Sequence, residues 1–92
     1  MAILHIVSTH LTVQALAKLE KRSHLDDGFV LMDDGVYNSL GVAANTLGGR
    51  NVYLLYQHAL QRGLDGIALD AEHIDMAQLV ALTVRYNSSM SW

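Results

Sequence analysis

The chain has 92 residues, 51% of them apolar and 16% charged, with a formal net charge of -3. This composition buries a core and excludes a disordered tail, and the acidic balance excludes a strong electrostatic footprint for nucleic acid. There is no cysteine, which excludes a disulfide, a thiolate nucleophile, a zinc–thiolate site and any persulfide carried on this chain.

The length predicts a single domain over 1–92. Met1-Ala2-Ile3-Leu4-His5 lacks the basic start of a secretory leader, and no apolar run approaches the ~20 residues that span a bilayer, so a cytoplasmic protein is expected. Ile3-Leu4-His5-Ile6-Val7 is short, apolar and β-branched, and reads as a buried strand. His5 inside such a run is expected to be a hydrogen-bonded core residue. Ser8, Thr9 or Thr12 is placed to cap a helix over 11–22, because a hydroxyl there accepts from an orphan backbone N–H. Leu16, Leu19 and Ala15 give that helix its inner face. Lys18, Lys21 and Arg22 form a solvated basic stripe that suits the dipole of a helix end.

Asp26-Asp27-Gly28 reads as a turn and Phe29-Val30-Leu31-Met32 as a second strand. That strand runs into Asp33-Asp34-Gly35 and a helix-like stretch over 36–40, a βα junction in which Asp33 or Asp34 is the expected N-cap. Small residues over 41–49 predict a short or irregular helix, and 47–51 a loop. The third strand is expected over 51–56, where alternation would put Tyr53 and Tyr56 on opposite faces. A turn or two of helix over 57–61 ends at Gly63, suited to a left-handed C′ position. The stretch 65–70 gives no clear element. A short, partly exposed fourth strand is expected over 71–74. Asp75 then caps a helix over 76–86 whose stripe is Met76, Leu79, Val80, Thr83 and Val84. The stretch 87–92 reads as a tail, with the Trp92 ring packing on this domain or on a neighbour. Short strands alternating with helices imply right-handed βαβ units, hence a three-layer α/β/α sandwich around a small, mostly parallel sheet.

Chemistry is sparse. The five histidines include no pair at metal-ligand spacing on one helix. Asp33-Asp34 lies where open α/β sheets bind ligands, beyond the carboxyl end of a strand; helix capping is the plainer role, and two carboxylates repel phosphate. Gly48-Gly49 leads into a strand without the GK[ST] of a phosphate loop, and no serine sits in a GxSxG elbow. No catalytic residue, cofactor or metal is expected.

Several segments together carry a resemblance: Leu4-His5, Asp34-Gly35-Val36-Tyr37, Val52-Tyr53 with Leu55, Arg62-Gly63-Leu64, Ile74-Asp75, Leu82-Thr83-Val84 and Met90-Ser91-Trp92. In their order and spacing the chain resembles the TusB/DsrH family over nearly its whole length. The resemblance implies a DsrE-like fold and assembly with two homologous subunits, TusC and TusD, as a dimer of heterotrimers. That complex accepts persulfide sulfur from TusA and passes it to TusE, toward 2-thiouridine at the tRNA wobble position. The related DsrEFH complex serves sulfur oxidation, and some DsrH members carry a cysteine in the first helix.

This chain has no cysteine there, which favours a TusB-like, non-catalytic subunit. It also departs from the pattern at the polar Ala71-Glu72-His73 and at His10, where proline is common. His5, Asp34, Gly35, Val36, Tyr37, Tyr53 and Trp92 are the family-motif and interface candidates. The segment 35–47, Tyr53 or Tyr56, and Trp92 are expected to supply partner contacts, and the isolated chain to self-associate or be poorly soluble. The alternatives are a stand-alone homo-oligomer binding a cation or small ligand at the Asp33-Asp34 rim, and, ranked last, an enzyme using His5 or Asp34 as acid or base.

Overall fold

The structure, a computed structural model, describes residues 2–40, 45–64, 71–86 and 88–92. Its elements in order are β1 (Ile3–Val7), α1 (Val13–Arg22), β2 (Gly28–Leu31), a 3-10 helix (Asp33–Ser39), β3 (Asn51–Leu55), α2 (Tyr56–Gln61), β4 (Glu72–Ile74), α3 (Met76–Arg85) and β5 (Ser88–Ser91). The strands form one five-stranded sheet in the order β4-β3-β2-β1-β5. Every pairing is parallel.

Strands β1 to β4 step in one direction across the sheet, and α1, the 3-10 helix and α2 pack on one face of it. The step from β4 back to β5 runs the other way, and α3 lies on the opposite face. A right-handed crossover requires this change of side when the stepping direction reverses. Strand alternation divides the core accordingly. Val7, Phe29, Leu31 and Leu54 meet Leu16 and Leu19 of α1 on one side. Leu4, Val30, Tyr53 and Leu55 meet Leu79 and Leu82 of α3 on the other. The expected three-layer sandwich with a parallel sheet is therefore the observed fold class.

Local chemistry explains the boundaries. Thr12 caps α1: its hydroxyl accepts from the Ala15 N–H at 3.1 Å. Asp75 and Gln78 form a reciprocal capping box at the start of α3. Gly63 adopts φ +71 just past α2, the left-handed position that glycine fills without strain.

Four expectations need correction. The stretch after α3 is not a tail, because 88–91 pairs with β1 as a strand although it lacks β-branched residues. The third strand ends at Leu55, and Tyr56 opens α2, so alternation does not relate the two tyrosines. Neither Asp33 nor Asp34 caps: both lie inside the 3-10 helix, whose N-cap is Met32 without a side-chain bond. The buried residues of α3 are Leu79 and Leu82, whereas Met76, Val80 and Val84 are exposed. Segments 41–44 and 65–70 lie outside the described residues. Among those described, no helix is long and apolar enough to cross a membrane.

Candidate functional site

Asp34, Gly35, Val36 and Tyr37 stand together where β2 leaves the sheet. The chain turns sharply at Asp33, whose φ of 48 is rare outside glycine. The Asp33 N–H donates to His58 Nδ1 at 2.8 Å. A nitrogen accepting that bond has no proton to offer the Asp33 carboxylate, 3.3 Å away. Asp34 accepts from Arg62 Nε at 3.0 Å. Both carboxylates are exposed, where such a pair contributes ~0–1 kcal/mol. Gly35 is sterically fixed: a Cβ there would lie 1.9 Å from the Val7 carbonyl oxygen. Val36 is fully buried in the α1-side core. Tyr37 is half-buried, its ring 5.6 Å from that of His10. Behind it, buried Asn38 donates to the Thr9 carbonyl and accepts from the Leu11 N–H, tying the β1–α1 loop to the 3-10 helix.

His5 and Trp92 meet elsewhere, on the α1 side of the sheet. His5 Nε2 lies 2.8 Å from Asp27 Oδ2, with both side chains buried. The Trp92 indole N–H donates to His5 Nδ1 at 3.1 Å. An indole nitrogen only donates, so Nδ1 is the acceptor and Nε2 carries the proton given to Asp27. Asp27 also accepts from the backbone N–H groups of Ile3 and His24. Burial acts to raise the Asp27 pKa, but the hydrogen bonds from Ile3, His5 and His24 outweigh it and hold the carboxyl below its ordinary value. The Trp92 backbone extends the β5 ladder: its N–H donates to the Ile6 carbonyl and its carbonyl accepts from the Ser8 N–H. The indole packs on the α1-side core.

Tyr53 is separate from both groups, on the α3 face. Its hydroxyl accepts from Arg85 at 3.4 Å. The neighbouring Tyr86 has its pKa pushed up to about 12, first by burial and then by its hydrogen bond with Tyr53. The seven candidates therefore form three groups: the β2 exit, the His5–Trp92 pair, and Tyr53. Val36, Tyr53 and Trp92 all contribute to packing within this chain, while Tyr56 is exposed and stacks on His73 at 5.2 Å. Among the described residues, no three of His, Asp and Glu are grouped to hold a metal ion.

With this geometry in hand, comparison with known proteins locates the fold. No family model matches the chain, and none of the curated proteins does. Solved structures match it over all or nearly all of its length. The ychN protein of E. coli aligns with a TM-score of 0.71 over 100% of both chains, at 20% identity. Protein Tm0979 of Thermotoga maritima aligns with a TM-score of 0.66 over 92% of this chain and 93% of its own, at 19% identity. The chain has the DsrE-like fold.

Three residues at these sites escape sequence reasoning. Asp27 sits in what reads as a solvent turn. Asn38 sits in a polar stretch of a helix. Arg50 sits in a glycine loop, yet its side chain is buried, pairs with Glu20 at 2.5 Å and lies over the Phe29 ring. The one usable signal is His5: a histidine inside an apolar strand needs a hydrogen-bonding partner, and a carboxylate is the natural one.

Proposed function

We propose that this chain is a non-catalytic structural subunit of a sulfur-relay complex of the TusBCD kind, a cytoplasmic assembly supporting 2-thiolation of the tRNA wobble uridine. The observation that carries the reading is a DsrE-like fold with no thiol anywhere in the chain. Persulfide sulfur requires a thiolate, and methionine's thioether cannot replace it. A subunit of this fold without cysteine serves the relay by shaping the surroundings of a cysteine on a partner. The polar residues fit that role. His5 is engaged by the Asp27 and Trp92 side chains, Asp27 and Asn38 hold backbone groups of this chain, and Asp33 and Asp34 sit exposed beside His58 and Arg62 past the end of the central strand.

The partners in this reading are two homologous subunits, TusC-like and TusD-like, with TusA-like and TusE-like proteins as donor and acceptor of the sulfur. Co-expression of the tagged chain with those two homologues tests it. The expected result is a stoichiometric complex in which sulfane sulfur labels only the partner cysteine. A chain that purifies free of both partners overturns the proposal.

A further inference from the structure

A cleft of about 200 Å³ opens between α1 and the residue that follows β5, lined by Leu11, Ala15, Lys18, Leu19, Arg22 and Trp92. Helix spacing builds one wall: Ala15, Lys18, Leu19 and Arg22 stand at i, i+3, i+4 and i+7 on one side of α1. Leu19 is buried, and Leu11 and Ala15 are half-buried beside it. The facing wall is the Trp92 ring. Its N–H is engaged by His5 and its backbone by the β1 ladder, so the ring is held in place and turns carbon rather than a donor to the cleft. The lining is mostly apolar. Lys18 and Arg22, both exposed, therefore line it with their methylene stems and carry their charges at the mouth.

Neither cation is neutralised within the chain. Glu20 pairs with Arg50, Asp27 bonds His5 and Asp34 bonds Arg62, and among the described residues no carboxylate pairs with Lys18 or Arg22. No residue lining the cleft is acidic. Lys18 and Arg22 stand one turn apart, about 6 Å along the axis, within reach of one carboxylate set between them. The end of α1 at Arg22 contributes a partial negative charge of about half a unit. Two full positive charges outweigh it, and the mouth favours an anion.

We propose that this cleft binds a small aromatic carboxylate, its ring beside Trp92 and Leu19 and its carboxylate between Lys18 and Arg22. The volume sets the size: a cavity of about 150 Å³ holds benzene, whereas drug-sized ligands take about 300–1,000 Å³. The space here suits one ring with a short acid arm. Trp92 favours a ring over an alkyl chain of equal size, because offset aromatic pairs gain beyond the area they bury. An apolar pocket with a few convergent charged groups is the usual form of such a site.

This inference does not depend on the relay reading. Trp92 is the single tryptophan, so its indole N–H gives one resonance that reports from the cleft wall. The test titrates the whole ¹⁵N-labelled chain with phenylacetate, with 2-phenylethanol as the neutral counterpart, and with acetate as the anion without a ring. Phenylacetate should shift the indole resonance saturably, with a Kd in the millimolar range expected of so small a ligand. 2-Phenylethanol should bind about fivefold more weakly, the loss of two exposed ion pairs, and acetate should give no saturable shift. Lys18→Gln combined with Arg22→Gln should reduce phenylacetate to the affinity of the alcohol and leave the alcohol unchanged. Ala15→Leu, which fills the cleft, should abolish binding of both; if it fails to fold, the paired charge change decides.

The absence of a saturable indole shift overturns the proposal. So does equal affinity for the acid and the alcohol, or a phenylacetate affinity that the paired charge change leaves intact. Failure to bind homologous subunits counts against the relay reading and leaves this result untouched.

Discussion

Two residues carry more of the structure than their neighbours. At Gly35 any side chain meets the Val7 carbonyl at 1.9 Å, so Gly35→Ala should destabilise by about 1–3 kcal/mol or more, read from urea unfolding. Asp27 accepts three hydrogen bonds from Ile3, His5 and His24. Asp27→Asn should cost about 1–3 kcal/mol and flatten the acid limb of stability. The sign follows from its depressed pKa: the contribution is complete above the unfolded value of about 4 and is lost as pH falls through the folded one. Urea unfolding of both proteins from neutral pH down to strong acid checks this, and parallel curves would contradict it. His5 as a core histidine is legible in the sequence, because an imidazole in an apolar strand must be satisfied. Asp27 is not, because its partner lies 22 positions away and Asp-Asp-Gly has the composition of a solvent turn.

At the scale of elements, β1, α1, β2 and β3 follow from apolar runs and a threonine cap, and the sequence pattern places them within a residue or two. The fifth strand does not. Ser88-Ser89-Met90-Ser91 has no strand pattern, and its order comes from the β1 ladder and from the Trp92 indole bound to His5. Tertiary contact overrides propensity there. Trp92→Ala should therefore cost about 2–3 kcal/mol and raise hydrogen exchange across β5, while Trp92→Phe, which keeps a six-membered aromatic ring and loses the pyrrole part of the indole with its N–H, should recover part of the loss. The inner face of α3 is misread for a related reason. Two apolar stripes lie on one helix, and periodicity cannot say which meets the sheet. Leu79 and Leu82 are the residues that meet it, and just past the helix Tyr86 lies over Gly28, where a Cβ would lie 2.5 Å from the phenol oxygen. Because the Tyr86 pKa is pushed up to about 12, the unfolded chain ionises first. Stability should fall between pH 10 and pH 12 by up to about 1.4 kcal/mol per pH unit. Tyr86→Phe should lack this limb in alkaline unfolding curves.

For the whole molecule, the topology is decided by one reversal: four strands step one way and the fifth returns, which places α3 on the face opposite the other described helices. That arrangement hides the motif residues Val36, Tyr53 and Trp92 in this chain's own packing and leaves the outer side of α3 as an apolar surface. The fold class is legible because alternating strands and helices admit few solutions. Which motif residues come together is not legible, because the three groups are set by crossover handedness and register. The central claim is that a thiol-free subunit is required for others to move sulfur. It is tested most directly by measuring 2-thiouridine in tRNA from cells that lack this chain. The account predicts loss of wobble thiolation, restored by re-expression of the intact chain. Wobble thiolation at the wild-type level in its absence would contradict it.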